Sequence, residues 1–226
     1  MVEIQKLVQK GTRLREKARH QQALEVLDEA LRLSLAARDY RGAADALGAR
    51  ALAWKHLFQL TGDRAYLEFY KADAMTRLSV VKTKKLPALH SAHFRAADHA
   101  LLTADYKTAA THFRLALKNY CGSWAEKGDY RYHYGEALYR LGGRQTGLRE
   151  LKDGLRDIQK YRAEVNSFLA NIWESGANMV LAELLWKTHG AQAKKYLAEA
   201  AKIIAGDKRL IMRKKQLKIL ERKLKG

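Results

Sequence analysis

The chain has 226 residues, 47% hydrophobic and 30% charged, enough to bury a core, and no composition shift marks a boundary within a single domain 1–226. Its 43 Lys and Arg against 24 Asp and Glu give a formal charge of +19, an excess that attracts polyanions, although a solvated basic surface also accounts for it. Cys121 stands alone, which excludes an internal disulfide; residues 1–6 lack a signal-peptide core, no stretch reaches the roughly 18 apolar residues of a membrane span, and the expected location is cytoplasmic.

Apolar residues recur at helical spacing almost throughout, and no strand-like alternation persists. With only one proline, short turn signals cut the chain into eleven predicted helices: 2–18, 20–37, 40–60, 63–82, 87–103, 106–120, 123–141, 144–161, 164–188, 191–205 and 207–225. Asp39, Thr61, Asp105, Ser123 and Asp207 are the expected N-caps, because their short side chains can accept orphan backbone N–H groups. Pro87 is expected in a first turn, and Gly62, Gly143, Gly190 and Gly206 punctuate the turns.

The helices repeat. The second of each pair carries a small residue, a bulky one four later and a small one three after that: Ala23-Leu27-Ala30, Ala65-Phe69-Ala72, Ala109-Phe113-Ala116, Gly147-Leu151-Gly154 and Ala193-Leu197-Ala200. That spacing puts all three on one helix face, where small residues permit close approach and the bulky one fills the gap. Twelve residues before each triplet lie Gly11, Ala53, Ala97, Gly135 and Leu181, and three further on Leu14, His56, Ala100, Leu138 and Leu184.

This pattern resembles the tetratricopeptide repeat family, with Tyr106-Lys107-Thr108-Ala109 and Gly135-Glu136-Ala137-Leu138 as the closest local matches. The resemblance implies an all-α solenoid, a right-handed superhelix of about five antiparallel helix pairs (2–38, 39–83, 87–121, 123–162 and 164–205) closed by a capping helix, 207–225. The triplets lie 42, 44, 38 and 46 residues apart, whereas the family repeat is about 34, so each repeat gains one to three helical turns. HEAT-type repeats share the longer period and stay open as an alternative.

In the resembled family the first helix of each pair lines a concave face that holds partner segments. Turning from the packing residues, that face would carry Val8, Thr12 and Arg15; Arg50, Trp54 and Leu57; Phe94, Asp98 and Leu101; Tyr132, Glu136 and Tyr139; and Asn178, Ala182 and Leu185 with Trp186 adjacent. Arginine and aromatic residues are enriched at binding hot spots, so the expected function is a non-catalytic scaffold or adaptor for a peptide or protein segment. Family members that clamp a C-terminal carboxylate use lysine and asparagine where this chain has Val8, Thr12, Arg50 and Trp54, so that clamp is absent in its usual form.

The last predicted helix differs from the rest. Ile203, Leu210, Leu217 and Leu224 recur every seven residues, and from 208 to 225 nine basic residues face one acid, Glu221. The stripe reads as a cap on the core. The basic face, with Lys208, Arg209, Arg213, Lys214, Lys215, Lys218, Arg222 and Lys223, reads as a surface for nucleic acid, RNA before DNA, or another polyanion. Self-association is a further expectation wherever a solenoid end exposes packing surface.

No catalytic constellation assembles. His90 and His93 stand three apart with His99 and His112 nearby, yet no HExxH pattern or neighbouring cysteine joins them. Cys121 has no visible base, and Gly142-Gly143-Arg144 lacks the phosphate-loop pattern. No metal, cofactor or enzymatic activity is expected.

Overall fold

A computed structural model describes residues 2–225. Among them are eleven α-helices and no strand, in two compact units, Met1–Asp105 and Tyr106–Gly226. No boundary is visible in the sequence there; Asp105 lies in the turn within the expected third pair.

The first unit holds α1 (Val2–Glu16), α2 (His20–Ala36), α3 (Tyr40–Thr61), α4 (Ala65–Thr83) and α5 (Leu89–Leu102). Each helix packs on the next, and α3 also touches α1 and α5, so the odd-numbered helices share one layer. Alanine makes this possible: Ala43, Ala44, Ala46, Ala49, Ala51 and Ala53 of α3 are all buried, and larger side chains on its neighbours reach in. The triplet Ala23-Leu27-Ala30 is fully buried, with Leu27 pressed so closely on Gly11 that a Cβ there would come within 2.7 Å of its Cδ2.

The triplet in α4 is a correction. Ala65 and Ala72 are exposed and Phe69 is 51% exposed, while the buried stripe runs through Leu67, Tyr70, Asp73, Ala74, Arg77, Leu78 and Val81. The space left by the alanines of α3 admits Tyr70 and two charged residues, which the small-bulky-small rule does not describe.

The second unit holds α6 (Tyr106–Lys118), α7 (Trp124–Arg140), α8 (Arg144–Lys160), α9 (Ser167–Leu185), α10 (Gly190–Gly206) and α11 (Ile211–Lys225). Here α9 touches both α7 and α11 beside its chain neighbours. The tightest crossing is α7 on α8. Gly128 and Gly135 of α7 face Gly154 and Gly147 of α8. A Cβ on Gly154 would lie 2.6 Å from the Gly128 carbonyl oxygen, and one on Gly135 would lie 2.7 Å from that of Gly147. Beyond this seam, Tyr132, Leu151, Leu155, Ile158, Leu181 and Leu185 form one core cluster. The heptad leucines of α11 join Met179, Ala200 and Ile204 in another, so the stripe covers α9 and α10 as a cap does.

Five inter-helix turns share one geometry. Arg19, Asp39, Leu86, Asp105 and Gly143 each donate a backbone N–H to the carbonyl five residues earlier, at 2.8–3.0 Å. The residue before each has positive φ: Ala18, Arg38, Lys85, Ala104 and Gly142. This is the left-handed helix stop that glycine usually makes, and here only one of the five is glycine.

Asp39 accepts from the Gly42 amide at 2.9 Å and Ser123 from Glu126 at 3.1 Å, as N-caps do. Thr61 does not cap: it ends α3, where its hydroxyl donates to the Leu57 carbonyl, and Asp63 accepts from the Ala65 amide instead. Pro87 precedes α5, whose first residue is Leu89. A 3-10 turn, Arg162–Glu164, stands where α9 was expected to begin, and α11 starts at Ile211 rather than 207. Among the described residues no helix is long and apolar enough to cross a membrane.

Candidate partner-binding site

In the first unit the residues expected on the partner face are mostly tied to neighbouring helices. Arg50 of α3 chelates Asp73 of α4, with Nε at 2.8 Å from Oδ2, and its Nη1 reaches Asp28 of α2 at 2.6 Å. Trp54 Nε1 donates to the same Asp73 carboxylate at 3.1 Å, and its ring stacks on Tyr66 and Phe69. The hydrogen bonds to Asp73 hold the Arg50 guanidinium above its ordinary range. Arg50 and Trp54 therefore clasp α2, α3 and α4 together. The sequence could flag the arginine but not its partners, which lie more than twenty residues away.

Asp98 of α5 is 1% exposed and accepts from Lys55 Nζ at 2.7 Å and from the Tyr70 hydroxyl at 2.7 Å. Burial and this carboxylate push the Tyr70 phenol well above its usual range. Phe94 is 4% exposed. Neither offers its side chain to a partner. The Asp98–Lys55–Tyr70 set joins α3, α4 and α5, and no sequence rule links those three positions.

Arg15 differs. It is 9% exposed, yet its only ionic contact among the described residues is a long one, 3.5 Å, to Glu16. Its buried Nε meets no acceptor among the described residues. Burial, and the like charge of Arg95 on α5, lower the guanidinium to about 10. The Arg95 guanidinium carbon lies 5.2 Å from the ring of its neighbour Phe94. The layer of α1, α3 and α5 thus keeps an arginine pair whose buried member is poorly neutralised.

In the second unit Tyr132 is 1% and Asn178 3% exposed, both in the interior. Asn178 donates back to the Glu174 carbonyl at 2.9 Å. Glu136 is buried and accepts from Arg140 at 2.9 Å. Arg140 also reaches Glu183 of α9 at 3.2 Å, and Lys223 of α11 meets the same carboxylate at 2.9 Å, so one ionic chain crosses α7, α9 and α11. Burial alone would raise Glu183, but the two cations outweigh it and hold it below the usual range. Tyr139 is half-buried with its hydroxyl 3.4 Å from the Leu184 carbonyl, and Trp186 is half-buried against the core.

The basic residues at the end of the chain divide into two sets. Arg209 pairs with Asp207 at 2.7 Å, Arg213 donates to the Ile172 carbonyl at 3.1 Å, and Lys223 pairs with Glu183. These three fasten α11 and the turn before it. Lys208, Lys214, Lys215, Lys218, Arg222 and Lys225 are exposed and form no ion pair among the described residues. Among the described residues no group of three His, Cys, Asp or Glu could hold a metal ion. Cys121 is exposed.

No family model matches the chain, and no curated protein matches it. Among solved structures it is similar to a Podosopora anserina protein described by its kinesin light chain nearly identical TPR-like repeats. The TM-score is 0.57 at 12% identity, over 97% of this chain and 95% of that one. The fold is therefore a TPR-like helical repeat.

Proposed function

We propose that the protein is a non-catalytic interaction scaffold of the tetratricopeptide repeat type that holds a peptide or protein segment on the layer of α1, α3 and α5 in its first unit. The observation that carries this reading is Arg15. A guanidinium costs free energy to bury unless it is paired, and Arg15 is buried beside a second arginine with one weak contact. A partner carboxylate reaching Arg15 and Arg95 supplies the missing charge. The segment would then carry an acidic side chain or a terminal carboxylate where it crosses α1, α3 and α5.

Affinity purification from the native host, with and without nuclease, tests this. Wild type should retain nuclease-resistant partners that Arg95→Glu loses, with circular dichroism reporting an unchanged helix content. Equal recovery by Arg95→Glu and by Arg15→Met rejects the site.

A second reading is polyanion binding, with RNA the preferred ligand. It is supported by the +19 charge and by the six basic residues around α11 that form no ion pair among the described residues. Each phosphate contact to a single strand contributes a slope of about −0.7 in log affinity against log salt. Titration with single-stranded RNA at two salt concentrations decides it, and no binding at low salt eliminates it.

A further inference from the structure

Between α10 and α11 runs an open trough of about 550 Å3. Its floor is aliphatic: Ala201, Ile204 and Ala205 come from α10, and Leu210, Ile211 and Leu217 from α11 and the turn before it. Ile211 is 38% exposed, a large apolar side chain left in water. Lys208, Lys214 and Lys218 stand on the rim without a carboxylate partner among the described residues, and Glu221, likewise without an ion pair among them, stands at one end. The remaining rim carboxylate, Asp207, is occupied by Arg209.

We propose that this trough docks an acidic amphipathic helix supplied by a partner protein. The spacing on the page fits that occupant. Ala201, Ile204 and Ala205 follow the i, i+3, i+4 pattern of one helix face, and Ile211, Lys214, Leu217, Lys218 and Glu221 follow it on the facing helix. From 211 to 221 the α11 wall extends about 15 Å at 1.5 Å per residue, enough for nearly three turns of a bound helix. Two or three leucine-sized side chains at i, i+3 or i+4, and i+7 would fill the floor, as in other helix-in-groove complexes.

Charge selects the chemistry of the flanks. Three unpaired lysines against one glutamate favour Asp or Glu beside the apolar stripe. A second copy of this chain is disfavoured, because its own α11 carries the same sign of charge. RNA is disfavoured by the floor, since single strands stack bases on aromatic rings and the floor has none. The site is independent of the layer formed by α1, α3 and α5, so Arg95→Glu leaves it unchanged.

The test is a phage-displayed library of randomised 18-residue helices, panned on the nuclease-treated full chain. Enriched peptides should share an apolar stripe of helical period flanked by Asp or Glu. Synthetic versions should bind in fluorescence anisotropy and weaken at least tenfold with Lys214→Glu/Lys218→Glu. Ala205→Trp, a substitution at an exposed floor position, should also abolish binding while leaving the melting curve intact. No enrichment, enrichment without acidic flanks, or equal binding to Ala205→Trp overturns the proposal. So does poly(U) RNA that binds wild type and fails to bind Ala205→Trp, which would make nucleic acid the occupant.

Discussion

Replacing Arg15 by methionine should stabilise the protein and weaken its partner binding at once. The guanidinium is pushed down to about 10, well below its ordinary value. A cation held below its ordinary value destabilises the fold wherever it is charged, and at pH 7 it is charged. At about 1.4 kcal/mol per pH unit, the displacement opposes folding by roughly 3 kcal/mol. Methionine keeps an apolar stem in the same space and loses one contact to Glu16, itself worth less than about 1 kcal/mol. A net gain of about 2 kcal/mol remains, or a Tm higher by about 4–8 °C for a chain of this size. Urea unfolding at pH 7 measures it. A loss of about 1 kcal/mol or more in Arg15→Met would show that the guanidinium's bonds hold the fold, and the reasoning from its poor neutralisation would fail.

Three further outcomes are expected. Glu183 is held below its ordinary 4.5, so its contribution is present above that pH and lost as pH falls through and below it; acid should loosen α11, and Glu183→Gln should flatten that dependence in hydrogen exchange of α11 amides. Arg38 occupies a left-handed turn with φ 53°, so Arg38→Gly should raise stability by about 0.5–1 kcal/mol in urea, and a loss would contradict the strain. Gly147→Val would press a Cβ to 2.7 Å from the Gly135 carbonyl oxygen, where backbone cannot yield; a cost of about 3 kcal/mol or more is expected, and normal melting would refute the tight crossing.

Eleven helices were legible because periodicity and turn residues are local signals. Turn chemistry was legible only where it used the customary residue. Gly142 announces a turn, but Ala18, Arg38, Lys85 and Ala104 adopt the same backbone without the residue that usually marks it. Packing was legible where small residues do the work on both sides, as at Gly135 and Gly147, and failed in α4, where the alanines of α3 create room that polar side chains occupy. Gly128 completes the α7–α8 seam and fell outside the triplet pattern, although it lies seven residues before Gly135 on the same face. The partner face was the least legible. The residues named there sit on the odd helices, but turning a helix by one position exchanges a groove residue for a seam residue. Asp73, Lys55 and Tyr70, which fix Arg50 and Asp98, come from other helices, and no single-helix pattern contains them.

The glycine seam between α7 and α8 has a mechanical consequence. Side chains between helices act as bearings: they change rotamer and let one helix slide or tilt over the other. At Gly128, Gly135, Gly147 and Gly154 there are no such bearings, only main chain on main chain. That hairpin therefore stands as one closely packed body. The 3-10 turn Arg162–Glu164, with its extended exit at Val165, is the joint that follows it in the chain.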